Sequence, residues 1–123
     1  MNKIIITFAL LFAFIGTGTA IAAEKPLKSL PFKYAKGQNL FNKNCSSCHG
    51  TTLLGSETGP PLLHNFYKPS HHGDSSFYRA ALSGVRAHHW SFGDMPPVPE
   101  MTQKKLNSIV PYIRYFQQQK GLF

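Results

Sequence analysis

The sequence predicts a small all-α domain with three to four helices, and three observations support this. Four apolar residues near the carboxy terminus follow the spacing i, i+3, i+4, i+7, which places them on one helix face. They are Leu106, Ile109, Val110 and Ile113. A second helix is framed by Asp74 or Ser75 as N-cap and by Gly84, a residue type that commonly ends helices. A third is predicted over about 34–42.

The amino terminus has the composition of a secretory signal peptide. A positive charge precedes an apolar run, and the small residues that follow carry an A-x-A pattern at Ala20 and Ala22. We therefore divide the chain into a signal peptide over 1–22, an extended arm over 23–33 and one domain over 34–123. Export to the periplasm is expected, and membrane attachment would follow only if the signal segment stayed uncleaved.

The stretch Cys45-Ser46-Ser47-Cys48-His49 has the pattern C-x-x-C-H, the attachment site of a c-type haem. Each thiol can form a thioether with a haem vinyl group, and the adjacent histidine can bind the iron. A thioredoxin-like pair would need a βαβ context that the sequence lacks, and a structural zinc site needs four ligands. A plain disulfide would give His49 no role. One such motif predicts one covalent haem.

Just ahead of this motif, Gly37 and Phe41 lie four residues apart, on one face of the first predicted helix. A Gly-x-x-x-Phe helix followed by C-x-x-C-H resembles the amino-terminal helix of class I (monohaem) cytochromes c. The resemblance covers roughly 34–118 and includes the stretches Gly59-Pro60-Pro61-Leu62 and Asp94-Met95-Pro96-Pro97. It implies a small cytochrome c fold wrapped around one haem, in which the first and last helices cross at the glycine.

The stretch Gly59-Pro60-Pro61-Leu62 has two prolines, which lack amide donors and turn the backbone. The resemblance implies that the Pro60 carbonyl accepts the Nδ1–H of His49, a bond that fixes the ring and raises its basicity. We also expect Leu62 to pack against the haem. Without the resemblance, the stretch is an ordinary proline-rich turn.

Met95 is the predicted sixth ligand of the iron, opposite His49. It follows an irregular loop and precedes two prolines that stiffen the backbone, and the thioether is a soft ligand that cytochromes c pair with histidine. Met101 is a weaker candidate, because no turn positions it ahead of the last helix. We expect Arg86 and Trp90, in the same loop, to lie near the haem propionates as donors.

The last helix should start after Thr102 as N-cap and run to about Gln118. Tyr112 occupies the place of the aromatic residue that meets the glycine-containing helix in the family. Pro111 departs from the pattern, because a proline in a helix interior costs about 3 kcal/mol unless a kink absorbs it. Whether this helix is straight is therefore open.

Five histidines remain besides His49. They are His64, His71, His72, His88 and His89. They can be surface or propionate-contacting residues, a copper or zinc site built from the two adjacent pairs, or a haem ligand that replaces Met95. Because neighbouring histidines point in different directions on a regular element, we expect each pair to give at most one ligand to any one site.

The whole chain has a formal charge of +8, and loss of Lys3 with the signal leaves +7. Such a balance either solvates the surface or steers the protein toward an acidic partner. We expect a transient complex with an acidic redox protein and no nucleic acid, because no stacking aromatics accompany the lysines. The basic residues crowd into the arm and first helix. They are Lys25, Lys28, Lys33, Lys36 and Lys43.

These features together predict an electron carrier and no enzymatic activity, since two axial ligands leave the iron without an open position. One alternative is a haem subunit of a larger periplasmic dehydrogenase or reductase. Another is a haem peroxidase or gas-binding protein with a labile sixth ligand.

Overall fold

The computed structural model describes residues 29–123, and the expected signal peptide and residues 23–28 of the expected arm lie outside that range. The described part contains four α-helices, which confirms the all-α class. They are α1 (Ala35–Asn44), α2 (Ser46–His49), α3 (Asp74–Ser83) and α4 (Gln103–Gln119). Single 3-10 turns occur at Phe32–Tyr34 and Asn65–Tyr67. Within 29–123, no helix has the length and apolar character that a membrane span requires.

Helices α1 and α4 cross at Gly37, as the resemblance implies. A Cβ atom at this position would lie 2.7 Å from Cβ of Tyr112 and closer still to the carbonyl oxygen of Ser108. Phe41, one turn further along α1, is fully buried, and its ring centroid lies 5.6 Å from that of Tyr112. The missing side chain of one glycine therefore sets the distance between the two main helices.

The apolar stripe of α4 forms the centre of the core. All four residues that the spacing selected are at most 3% exposed. Leu106, Ile109 and Ile113 pack with α1, with α3 and with the loop between α2 and α3 through a shared cluster of buried side chains. The other members are Phe41, Leu53, Leu62, Leu63, Ala81 and Tyr112.

The two longer helices on the carboxy-terminal side begin in different ways. The side chain of Thr102 caps α4 by accepting the N–H of Lys105 at 3.3 Å, as the sequence predicts. The prediction that Asp74 or Ser75 caps α3 is wrong, because Gly73 holds the N-cap position without a side-chain bond. Asp74 lies inside the first turn, where its carboxylate pairs with a cation of α4 described below.

Pro111 does not interrupt α4, which runs through it from residue 103 to 119. The ring lies on the exposed face of the helix, where it meets solvent rather than the core. Proline removes the amide that would bond to the Asn107 carbonyl, and Asn107 is also exposed, so water can satisfy that oxygen. The buried stripe is consequently continuous on both sides of the proline.

Because the helices approach closely at Gly37, replacing this glycine with alanine should destabilise the protein. In an open helix, glycine-to-alanine is stabilising by up to about 1 kcal/mol. Here we expect Gly37→Ala to lower the free energy of unfolding by about 1–3 kcal/mol, because the added methyl meets backbone and Cβ atoms of α4. Denaturant unfolding of the haem-loaded protein measures this.

The matched control is Asn39→Ala, an exposed position of the same helix, which should change the free energy of unfolding by no more than about 0.5 kcal/mol. A Gly37→Ala variant as stable as this control would contradict the packing described for the crossing.

Candidate functional site

The C-x-x-C-H motif lies where α1 meets α2. The N–H of Cys45 closes the last turn of α1 by donating to the Phe41 carbonyl at 2.8 Å. The amides of Cys48 and His49 then both donate to the Cys45 carbonyl, at 3.2 and 3.0 Å, and wind the motif into one turn. Cys45 is half-buried and Cys48 is exposed, both as free thiols. Burial, with a smaller effect of Cys48, raises the pKa of Cys45 to about 11, so this thiol is neutral near pH 7.

A single hydrogen bond orients His49. Its Nδ1 lies 2.9 Å from the carbonyl oxygen of Pro60, the contact that the resemblance implies. Because a carbonyl can only accept, Nδ1 carries the proton, and Nε2 keeps a lone pair that can bind a metal. Burial lowers the pKa of His49 against the opposing effect of the Pro60 bond, which favours the neutral ring that a ligand needs.

The loop over 50–63 is folded back onto the motif and so brings Pro60 into place. The hydroxyl of Ser56 donates to the Cys48 carbonyl at 2.6 Å, and the amide of Gly55 donates to the His49 carbonyl at 2.9 Å. A Cβ at Gly59 would lie 2.7 Å from the Cys48 carbonyl oxygen, so glycine is needed for this approach. Gly59, just before the two prolines, must therefore be a glycine because it packs against the motif.

A cavity of about 570 Å³ opens beside the motif, within the usual size range of ligand sites. Every site residue predicted from the sequence lines it. They are Cys45, Cys48, His49, Pro60, Leu62, Arg86, Trp90 and Met95. The structure therefore brings together residues that are up to 50 positions apart in the chain, from Cys45 to Met95.

Met95 is held at the base of a closed loop. Its N–H and carbonyl both bond to Val85, at 2.8 and 2.9 Å. Gly84, which ends α3 as predicted, has a φ of 79°, and a Cβ there would lie 2.7 Å from the Met95 carbonyl oxygen. Asp94 closes the loop by accepting the N–H of Ala87 at 2.8 Å. Met101 is not among the residues that line the cavity.

The cavity wall has the donor set that a covalent haem requires. It combines two thiols, an imidazole and a thioether with apolar side chains from α3 and α4. The indole Nε1 of Trp90 is buried and, among the described residues, has no hydrogen-bond partner, a state that costs about 1–3 kcal/mol. Burial raises the pKa of the nearby Tyr67 phenol, and its interaction with the Trp90 side chain opposes that shift. A haem propionate would supply the missing acceptor, so the residues present fit the group.

Two polar residues of α4 that the sequence analysis did not select hold the loop between α2 and α3. Gln117 is fully buried, and its Nε2 donates to the Leu62 carbonyl at 2.8 Å. Arg114 donates to the side chain of Gln117 at 2.7 Å and to the carbonyls of Tyr67 and His72, both at 2.6 Å. Gln117 lies four residues after Ile113, on the same face as the apolar stripe. A polar residue on that buried face is the sequence signal that could have pointed to Gln117 and its partner Arg114.

The guanidinium of Arg114 also has a charged partner and an aromatic one. Its Nε donates to Asp74 at 2.7 Å, which ties the first turn of α3 to α4. Its carbon centre lies 4.7 Å from the ring centroid of Phe77. Through these contacts one side chain connects α4, α3 and the loop between α2 and α3.

Four of the remaining histidines gather at the edge of the cavity. The Nε2 atoms of His71 and His89 are 3.2 Å apart, and those of His72 and His88 are 3.4 Å apart. The sequence predicts that each adjacent pair gives at most one ligand to a site; His71 and His72 lie in a turn rather than on a regular element, and a ring nitrogen of each lies within 4.8 Å of the other and of one in His89. His64 instead caps the 3-10 turn by accepting the N–H of Phe66, at 3.2 Å.

Comparison with known proteins gives one family match. The family model described as Cytochrome c matches residues 34–117, which include the motif, the cavity loops and most of α4. Neither the curated proteins nor the solved structures contain a match to this chain.

Proposed function

This chain belongs to the cytochrome c family, and we propose that it is an exported monohaem cytochrome c that carries single electrons between other redox proteins. Family membership implies a covalently attached haem c, which supplies one-electron chemistry at its iron. The observation that carries the proposal is that His49 and Met95 line one cavity together with both thiols of the motif.

In this proposal each residue of the motif has one task. Cys45 and Cys48 would hold the haem through thioethers, and His49, oriented by Pro60 and with a lowered pKa, would be the fifth ligand. Met95 is the sixth ligand, positioned by its two backbone bonds to Val85. If His49 and Met95 both bound the iron, the protein would leave no iron position for a substrate, which favours a carrier over a peroxidase or a gas-binding protein.

The walls of the cavity keep the iron in an apolar environment. Leu62 is 6% exposed, and apolar side chains of α3 and α4 complete the wall. Trp90 and Arg86 would meet the propionates, where an indole N–H and a guanidinium can neutralise the carboxylates. Burial of the iron and ligation by methionine both favour the reduced, less charged iron. The apolar wall and Met95 should therefore raise the reduction potential.

The proposed partner is an acidic redox protein that binds transiently. Lys36 and Lys43 are exposed and lie seven residues apart, hence on one face of α1, and Lys43 is two residues before Cys45. Lys33 is exposed in the preceding turn. Lys25 and Lys28 lie outside the described residues. A basic surface beside the attachment motif would steer acidic partners to the haem.

Replacing the proposed sixth ligand tests the carrier function. Ferric wild-type protein should show the weak red absorption band of methionine–iron bonding, and Met95→Ala should abolish it, lower the reduction potential and open the iron to carbon monoxide. Met101→Ala is the matched control and should retain the band. Wild-type protein that binds carbon monoxide readily would contradict the proposal and favour the gas-binding or peroxidase alternative.

Export is tested by the mass of the mature protein from a host that assembles c-type cytochromes. Cleavage of the proposed signal after Ala22 should leave a chain that starts at Ala23 and carries the mass of one haem. A haem-bearing chain that keeps residues 1–22 would show an anchored form instead.

Salt dependence separates a steered encounter from a permanent complex. The rate of electron transfer to a small acidic redox protein should fall steeply as salt rises, because exposed charges are screened beyond about 8 Å at physiological ionic strength. Lys36→Glu/Lys43→Glu should slow the reaction and leave the reduction potential nearly unchanged. The control Lys104→Glu/Lys120→Glu, in the first turn of α4 and at its C-cap, has the same net charge and should slow the reaction less.

Stopped-flow reduction across a salt series makes this measurement. A bimolecular rate that does not respond to salt would remove the steering function from these lysines. Copurification with a partner that survives high salt would instead indicate a haem subunit of a larger complex.

A further inference from the structure

We propose that His71, His72 and His89 bind one divalent transition-metal ion, of the zinc or copper type, at the edge of the haem cavity, with His88 beside them as a fourth donor. Each of the first three can offer one ring nitrogen, and these atoms lie within 4.8 Å of one another. None of the four is an axial ligand in the function proposed above, so this site is additional to the haem.

The spacing of the ring nitrogens already suits a shared ion. Zinc–nitrogen bonds are 2.0–2.1 Å, so two imidazoles on one tetrahedral zinc have their nitrogens about 3.3 Å apart. The observed separations are 3.2 Å between His71 and His89 and 3.4 Å between His72 and His88. Within the group of three, the His71–His89 separation matches this value, and His72 has a ring nitrogen within 4.8 Å of both.

The tautomers of two rings are set by backbone carbonyls. Nδ1 of His72 lies 2.5 Å from the carbonyl oxygen of Phe66, and Nδ1 of His88 lies 2.8 Å from that of Arg86. Both Nδ1 atoms must donate, so in the neutral rings both Nε2 atoms carry lone pairs. Two lone pairs that face each other repel unless a cation lies between them. Metal-bound histidines commonly donate the other ring N–H to a carbonyl in this way.

The surroundings of His72 and His89 disfavour the charged form of both rings. Desolvation lowers the pKa of His72, and the neighbouring His71, His88 and Arg114 add to the shift. The pKa of His89 is lowered by desolvation and then by the other histidines. Both shifts favour the neutral imidazole, the form of His72 and His89 that can bind a metal ion. The positive charge of Arg114 is engaged by Asp74 at 2.7 Å.

The backbone and rings are held in place before any ion binds. The amides of His71 and His72 both donate to the Lys68 carbonyl, at 3.0 and 2.9 Å, and the His72 carbonyl accepts from Arg114. The His89 ring stacks on Phe66 with centroids 4.4 Å apart. His71 is exposed, which leaves an entry path for the ion.

Zinc titration of the haem-loaded protein by isothermal calorimetry tests the site. We expect one Zn(II) per chain near neutral pH and a dissociation constant that rises at least about tenfold in His71→Ala and in His89→Ala, with a smaller rise in His88→Ala. The control is His64→Asn, which removes a histidine outside the cluster and keeps an N-cap acceptor for Phe66. This control should bind zinc as the wild type does.

Copper binding gives a second, spectroscopic measurement that is independent of calorimetry. The electron paramagnetic resonance spectrum of bound Cu(II) should show coupling to imidazole nitrogens, and His71→Ala/His89→Ala should lose it while the haem absorption spectrum stays unchanged. Wild-type protein that binds neither Zn(II) nor Cu(II) would overturn the proposal. So would a double variant that binds either ion as tightly as wild type.

Discussion

The hydrogen bond from His49 to the Pro60 carbonyl joins the two halves of the site, and much of the local structure serves to make it. The loop between α2 and α3 reaches this position only because Gly59 can pack against the Cys48 carbonyl and because Ser56 donates to the same oxygen. A half-buried imidazole with its proton fixed on Nδ1 and a lowered pKa follows from that geometry. Loop, motif and proline therefore form one unit rather than three separate features.

Helix α4 is the scaffold on which the rest of the cavity is built. Its apolar stripe supplies one wall, and its close contact with α1 at Gly37 fixes the position of the motif that follows α1. Its last turns carry Gln117 and Arg114, which bond to the carbonyls of Leu62, Tyr67 and His72. Buried polar groups of this kind are costly unless every partner is in place, so they specify one loop conformation.

The sequence predicted the parts of this structure whose pattern is local. The stripe of α4, its Thr102 cap and the end of α3 at Gly84 each follow from residue types at short spacing, and the motif and Met95 came from such spacing together with the family resemblance. The bonds of Arg114 could not be predicted, because they join α4 to carbonyls 42 and 47 residues away. Every residue has a backbone carbonyl, so the residue types do not show which carbonyl accepts a hydrogen bond. The histidine cluster likewise depends on two loops meeting, a distance of 16 to 18 residues along the chain.

The same hydrogen bond, from a ring Nδ1 to a backbone carbonyl, occurs at the axial-ligand candidate and in the histidine cluster. In His49, His72 and His88 a backbone carbonyl accepts the Nδ1 proton, which fixes the tautomer and leaves Nε2 as the donor to whatever lies in front of it. His49 is half-buried and lines the cavity. In His72 and His88, the Nε2 atoms of the two rings face each other. Two lone pairs that face each other repel, and a cation between them would relieve that repulsion. The same backbone rule that prepares an axial ligand therefore makes the cluster a stronger candidate for cation binding than its exposed position alone would suggest.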